Sequence, residues 1–188
     1  MRITGVILAG GKSSRMGTDK GLLELNGQPL IQYAIDTLKS IGLEIIIISN
    51  NSDYKQFGFP VYPDIIPDKG PIGGVYTALS YSSTEKNLIV SCDTPFLSKK
   101  LLNYLIDAAK NSSIAIAEFE GREHPLIGIY SKHSRDTFKL YLDRNDLKLQ
   151  NANKALNADV VSLTMHPEVK SIMFSNLNTT EEFKRLEL

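Results

Sequence analysis

Short blocks of apolar residues run along this chain, and their spacing alternates between a buried-strand pattern and a helical one. Ile3 to Ala9 is an apolar run ending in Gly10-Gly11, which predicts a strand buried on both faces followed by a tight loop. Pro29 then stands where a first helical turn tolerates proline, Leu30, Ala34, Leu38 and Ile41 follow at helical spacing, and Gly42 closes the pattern. Glu44 to Ser49 holds four consecutive isoleucines, β-branched and too few for a helix, so a second buried strand is expected. Strand, helix, strand is a βαβ unit.

The alternation continues with a short strand at Pro60 to Tyr62, a helix from Ile72 to Tyr81 and a strand from Asn87 to Ser91. Ser98 is the expected cap of a helix carrying Leu101, Leu102, Leu105 and Ala109. Further on, the pattern predicts strands at Ile114 to Phe119 and Leu126 to Tyr130, and helices at Arg135 to Leu142 and Leu147 to Leu156. A last strand is expected at Ser171 to Phe174, and Thr179-Thr180-Glu181-Glu182 has capping-box spacing before a terminal helix. Alternation of this kind predicts an α/β fold, a Rossmann-like three-layer α/β/α arrangement with a mostly parallel central sheet. With 188 residues and no repeat, low-complexity tract or linker, one domain spanning 1–188 is expected.

Composition narrows the partners. Lysine plus arginine and aspartate plus glutamate both number 21, giving zero formal net charge, so nucleic acid is not an expected partner. At 42% hydrophobic and 22% charged residues, a packed core is attainable. The one cysteine, Cys92, has no internal partner, which favours a reducing compartment. The N-terminus lacks a signal-peptide cleavage region, and no segment reaches the roughly 18 apolar residues of a membrane-spanning helix. A cytoplasmic protein with no membrane role is expected.

The most informative stretch runs from Leu8 to Lys20, Leu-Ala-Gly-Gly-Lys-Ser-Ser-Arg-Met-Gly-Thr-Asp-Lys. It follows the first strand, at the carboxyl edge where open α/β sheets bind ligands. Glycines there let backbone N–H groups approach phosphate oxygens, and Arg15 and Lys20 supply positive charge for a triphosphate. It is neither a Walker A loop, because Val6 stands where that pattern needs glycine, nor a dinucleotide fingerprint, because Lys12 follows Gly10 where glycine is required. Asp93, in Ser91-Cys92-Asp93-Thr94-Pro95, ends another apolar strand and projects from the same edge, where a hard cation bridging phosphates needs a carboxylate. Cys92 reads as a small buried residue beside it, since a neighbouring carboxylate raises a thiol pKa and counts against a nucleophile.

These motifs resemble the molybdenum cofactor guanylyltransferase family: Leu-Ala-Gly-Gly, Arg15-Met16-Gly17, then Asp19-Lys20 where related cytidylyltransferases and sugar-nucleotide transferases carry Pro-Lys. The resemblance implies a fold of the nucleotide-diphospho-sugar transferase type, with a nucleotide-binding half over about 1–110 and an acceptor-binding half over about 111–188. It implies that Leu8, Ala9, Gly10 and Gly11 line the nucleotide and that Lys20 contacts it. Asp93 is then the Mg²⁺ ligand and, with Arg15 and Lys20, part of the catalytic set. Tyr62-Pro63-Asp64 ahead of Gly70-Pro71 matches the family's acidic residue and Gly-Pro turn, so Asp64 takes the nucleotide-contacting place. The family's strand-two asparagine falls at Ser49 or Asn50, with the choice open.

On the acceptor side the motifs thin. His124-Pro125 resembles a His-Pro of the family, and His124 either orients the acceptor or is structural. Asn176 and Asn178, in Asn176-Leu177-Asn178-Thr179-Thr180, match an Asn-Val-Asn-Thr-Pro segment with Thr180 in place of proline; they close over the site to reach the metal or the acceptor phosphate, or form a helix-capping turn. Lys148, Lys154 and Arg144 either face an anionic acceptor or coat a helix.

The resemblance implies GMP transfer from GTP to a molybdenum-bearing pterin, with Mg²⁺ as cofactor and pyrophosphate released. A monomer in transient contact with cofactor-delivery proteins is the expected assembly. Two rivals stand beside this: the same chemistry with CTP or a sugar-phosphate acceptor, and a non-catalytic nucleotide-binding regulator.

Overall fold

The six buried residues of β1 (Ile3–Leu8) explain how the layers form. Successive side chains point to opposite faces: Ile3 and Ile7 enter one apolar cluster, Val6 and Leu8 the other. The computed structural model describes residues 2–10 and 19–177. After β1 come a short hairpin of β2 (Glu24–Leu25) and β3 (Gln28–Pro29), helix α1 (Leu30–Ser40), β4 (Glu44–Ile48), β5 (Val61–Tyr62), helix α2 (Gly70–Tyr81), β6 (Lys86–Ser91) and helix α3 (Lys99–Ala108). The remaining elements are β7 (Ile114–Phe119), β8 (Arg122–Ser131), helices α4 (Arg135–Asp143) and α5 (Leu149–Ala155), and β9 (Asp159–Ser162).

The main sheet has the order β5-β4-β1-β6-β8-β7-β9. Its first four strands are parallel, β8 runs antiparallel to both neighbours, and β9 is parallel to β7. The residues of α1 and α3 pack with Ile7 on one face, and those of α2, α4 and α5 pack with Val6 and Leu8 on the other. This is the expected three-layer, mostly parallel architecture. From β1 the chain winds outward through β4 to β5, then crosses back to place β6 on the other side of β1. Such a reversal opens a crevice at the carboxyl ends of the two central strands.

Helix boundaries follow their expected signals. Gly42 takes a left-handed φ of 75° just past α1, a conformation costly for a residue with a Cβ. Ser98 caps α3 by accepting from the Leu101 N–H at 3.2 Å.

Several elements differ from the expectation. Ser171–Phe174 is a 3₁₀ helix, not a strand. The last strand is instead Asp159–Ser162 at the sheet edge, whose mostly exposed residues carry no apolar run to announce a strand. β8 starts at Arg122, four residues before the expected Leu126, because Glu120 and Gly121, with φ of 51° and 81°, make a two-residue hairpin turn that pairs Phe119 with Arg122. The hairpin of β2 and β3 turns at Asn26-Gly27, φ 52° and 73°, a strong hairpin signal that the periodicity reading passes over. The expected terminal helix after Thr179 lies outside the described residues.

Candidate active site

The ends of β1 and β6 are in register, Leu8 opposite Ser91, and the Cys92 N–H donates to the Leu8 carbonyl at 3.1 Å. Gly10 and Asp93 therefore leave the sheet at the same level, one on each strand. Leu8 and Ala9 are buried, so neither offers its side chain to a ligand. The Ala9 N–H is bonded to Ile48 at 2.9 Å, and Gly10 is exposed. Gly11 and Arg15 lie outside the described residues, as does Asn178.

Asp93 is held from two directions: its Oδ1 accepts from the Ser91 hydroxyl at 2.6 Å, and its carbonyl accepts from the Leu177 N–H at 3.0 Å. Its Oδ2 lies 3.9 Å from the Lys20 Nζ, an electrostatic pair longer than a direct hydrogen bond, with both side chains mostly buried. Thr94 closes the turn by donating its hydroxyl to the Ser91 carbonyl at 2.9 Å. Cys92 is buried behind this turn; burial pushes its thiol up, and the Asp93 and Asp19 charges add to that, so it is no nucleophile.

Asp64 stands at the end of β5 in a reciprocal pair with Asn50. The Asn50 Nδ2 donates to the Asp64 Oδ2 at 3.0 Å, and the Asp64 N–H donates to the Asn50 Oδ1 at 2.9 Å. Of the two strand-two positions left open, Asn50 is thus the one beside Asp64. Ser49 is buried and accepts from the Asn51 N–H at 3.1 Å. Burial raises the Asp64 carboxyl, the Asn50 hydrogen bond opposes this, and the Asp68 charge adds to it.

Beside these groups lies a pocket of about 740 Å³, whose walls include Ser91, Thr94, His124, Lys148 and Asn176. A register shift in β8 shapes it. Gly128 pairs with Ile116, but the next β7 residue, Ala117, pairs with His124, so Pro125, Leu126 and Ile127 have no partner on β7. Proline cannot donate to a ladder, and such irregularities re-aim side chains. The Pro125 carbonyl is satisfied instead by the buried Tyr130 hydroxyl at 2.6 Å, which also accepts from Asn153 at 3.1 Å. Leu126 and Ile127 join the wall, as do Arg122 and Glu123.

His124 and Asn176 are therefore brought together on one wall. His124 packs against Phe174 with tilted rings and centroids 4.6 Å apart; burial and the Arg122 charge lower its pKa, and Glu118 opposes them. Of the three cations left open, Lys148 lines the pocket, while Arg144 and Lys154 are exposed and outside its lining. Sequence reasoning does not single out Arg122 or Gln150, which also stand on the wall. Neither carries a local signal, since an exposed polar residue reads as an ordinary surface position until the fold brings it to a wall.

Among the described residues no group of three or more His, Cys, Asp or Glu is assembled to hold a metal. A carboxylate such as Asp93 at the crevice suits Mg²⁺, which keeps several waters and is bound by one or two carboxylates together with substrate phosphates. It does not suit a metal that needs an all-protein cage. No helix among those described is long and apolar enough to cross a membrane.

Comparison with known proteins matches residues 5–159 to the family model described as MobA-like NTP transferase domain. A protein of Yersinia pestis named molybdenum cofactor guanylyltransferase is 41% identical over 181 residues, covering 94% of this chain and 91% of that protein. One of Flavobacterium johnsoniae, named "Probable molybdenum cofactor guanylyltransferase", is 36% identical over 187 residues, covering 99% of this chain and 97% of that protein. The crystal structure of molybdopterin-guanine dinucleotide biosynthesis protein A from Archaeoglobus fulgidus superposes with a TM-score of 0.81 at 20% identity, over 100% of this chain and 97% of that one.

Proposed function

For a chain that belongs to the MobA-like NTP transferase family, we propose the activity of a molybdenum cofactor guanylyltransferase: transfer of GMP from GTP to molybdenum-molybdopterin, with release of pyrophosphate. The observation that carries this reading is the Lys20–Asp93 pair at the carboxyl edge of β1 and β6, opening beside a pocket large enough for a second substrate.

A phosphate oxygen of the acceptor attacks the α-phosphorus of GTP in line. The new P–O bond forms as the bond between the α-phosphorus and the bridging oxygen breaks, and pyrophosphate takes the electron pair. The attacking phosphate is already ionised near neutral pH, so no general base is required; alignment and charge neutralisation do the work. Lys20 neutralises phosphate charge, and the Gly10 end of β1 admits the phosphates close to the backbone. Asp64, held by Asn50, presents carboxylate oxygens to the guanine edge or a ribose hydroxyl. Asp93 is the residue that would hold Mg²⁺, which supplies further neutralisation of the phosphates when bound.

The pocket between Thr94 and Lys148 is read as the acceptor site, with Arg122 and Lys148 facing its phosphate and His124 and Asn176 on the wall. The division into a nucleotide half over about 1–110 and an acceptor half over about 111–188 fits this reading, with Pro71, Ser91 and Thr94 as the first half's share of the acceptor wall. The buried free thiol of Cys92 supports work in a reducing compartment such as the cytoplasm.

The test mixes the protein with Mg²⁺, the pterin acceptor and GTP, CTP, UTP or ATP in turn and follows pyrophosphate. Release confined to GTP is the expected result. Release with CTP instead would reassign the base, and no release with any triphosphate would overturn the enzyme reading.

A further inference from the structure

Lys20 has a flexible four-carbon stem, so where its ammonium group can reach depends on how firmly its backbone is anchored. The anchor is the preceding residue. Asp19 caps the 3₁₀ turn Lys20–Leu22, its Oδ1 accepting from the Gly21 N–H at 3.3 Å. The same oxygen accepts from the Tyr54 hydroxyl, and the Asp19 Oδ2 accepts from the Asn51 Nδ2 at 3.4 Å. Tyr54 is fully buried on the 3₁₀ helix Ser52–Phe57. Burial first, then the charges and hydrogen bond around it, push its hydroxyl up, so it stays protonated and donates.

Gly21 completes the lock. A Cβ there would collide with the Tyr54 hydroxyl and come 3.1 Å from the Cys92 Sγ, so glycine lets this turn sit against the end of β6. The segment after β4 therefore reaches two ways. Asn50 and Asn51 are neighbours with extended backbone at Asn51, and their side chains go to different partners, Asn50 to Asp64 and Asn51 to Asp19.

We propose that Asp19 is a positioning residue, clamped by Tyr54 and Asn51 so that Lys20 is held at the Asp93 carboxylate, ready for a polyphosphate. This rests on the nucleotidyltransferase reading only in taking Lys20 as a phosphate contact. A second acidic charge beside a polyphosphate site repels the ligand, so a purely electrostatic Asp19 would weaken binding and its removal would tighten it. Positioning makes the opposite forecast.

The test is a double-mutant cycle on the affinity for inorganic tripolyphosphate, a probe that needs neither guanine nor acceptor. Lys20→Ala is expected to weaken binding about tenfold, the scale of a lost charge-assisted hydrogen bond. Asp19→Ala is expected to weaken it about fivefold by misplacing Lys20, and Asp19→Ala in the Lys20→Ala chain to add nothing. Tyr54→Phe, which keeps every charge, weakens binding in the same direction, and Asp19→Asn, which keeps an acceptor oxygen for Tyr54, recovers most of the loss. Tighter or unchanged binding in Asp19→Ala, losses that multiply across the two sites, or a Lys20→Ala chain that binds as the wild type does would each overturn the proposal. A wild-type chain that binds tripolyphosphate yet releases no pyrophosphate from GTP would sink the proposed function and leave this cycle decisive.

Discussion

At the edge of the crevice proposed to hold the nucleotide, Gly10 and Asp93 each stand two residues past the parallel strand that delivers them. At the pocket side, the wall is collected from a bulged antiparallel strand, the start of α5, the turn after β6 and the coil at Asn176. On the first side, chemistry sits on short motifs, because a parallel strand end fixes position within a residue or two. On the second, it depends on a register shift and on five separate segments meeting, Pro71 at the start of α2 being the fifth. The proposed site residues are therefore concentrated in sequence on one side and scattered on the other.

Three measurements break or sharpen this contrast. The largest effect is expected from Asp93→Ala, on the nucleotide side: Mg²⁺-dependent pyrophosphate release should fall by about 10²-fold or more. The thermal midpoint should change little, since the bond from Leu177 reaches the Asp93 backbone and not its side chain. Undiminished turnover would remove Asp93 from the chemistry.

A smaller, differently shaped effect is expected from Arg122→Ala or Lys148→Ala. Each is an exposed cation on the pocket wall, so the KM for the acceptor should rise about 3- to 10-fold while the KM for GTP stays put. Equal movement of both KM values would abolish the distinction between the two sides.

The smallest effect concerns His124. Its pKa is lowered from the usual 6.5, by burial first and then by Arg122, so the folded state prefers the neutral ring. That preference favours folding above 6.5 and is lost as pH falls through the lowered folded value. Thermal midpoints of the wild type and His124→Gln should therefore converge or cross on acidification from pH 7.5 toward 5, by about 1–2 °C. A difference constant with pH would show that the ring's ionisation has no part in the wall.

Legibility followed the same division. The strand, helix, strand alternation and the meeting of Lys20 with Asp93 could be read from apolar spacing and two strand-end motifs. Asp19 was noticed as a marker beside Lys20, but its bonds to Asn51 and Tyr54 cross more than 30 positions and have no local signature. Ser171–Phe174 is ambiguous in sequence because four residues with apolar members satisfy a strand and a 3₁₀ turn equally, and β9 is silent because an edge strand with exposed residues lacks the apolar run.

Local order along the chain determined the layer architecture and which loops stand at the carboxyl edge, since side-chain periodicity and the handedness of βαβ crossovers leave few alternatives. Only the tertiary structure decided that β8 runs antiparallel and bulges at Pro125, that Asn50 rather than Ser49 meets Asp64, and that Tyr54 clamps Asp19. Those outcomes are set by pairings between distant segments, whose free energies depend on which surfaces come together and not on the spacing of neighbours in sequence.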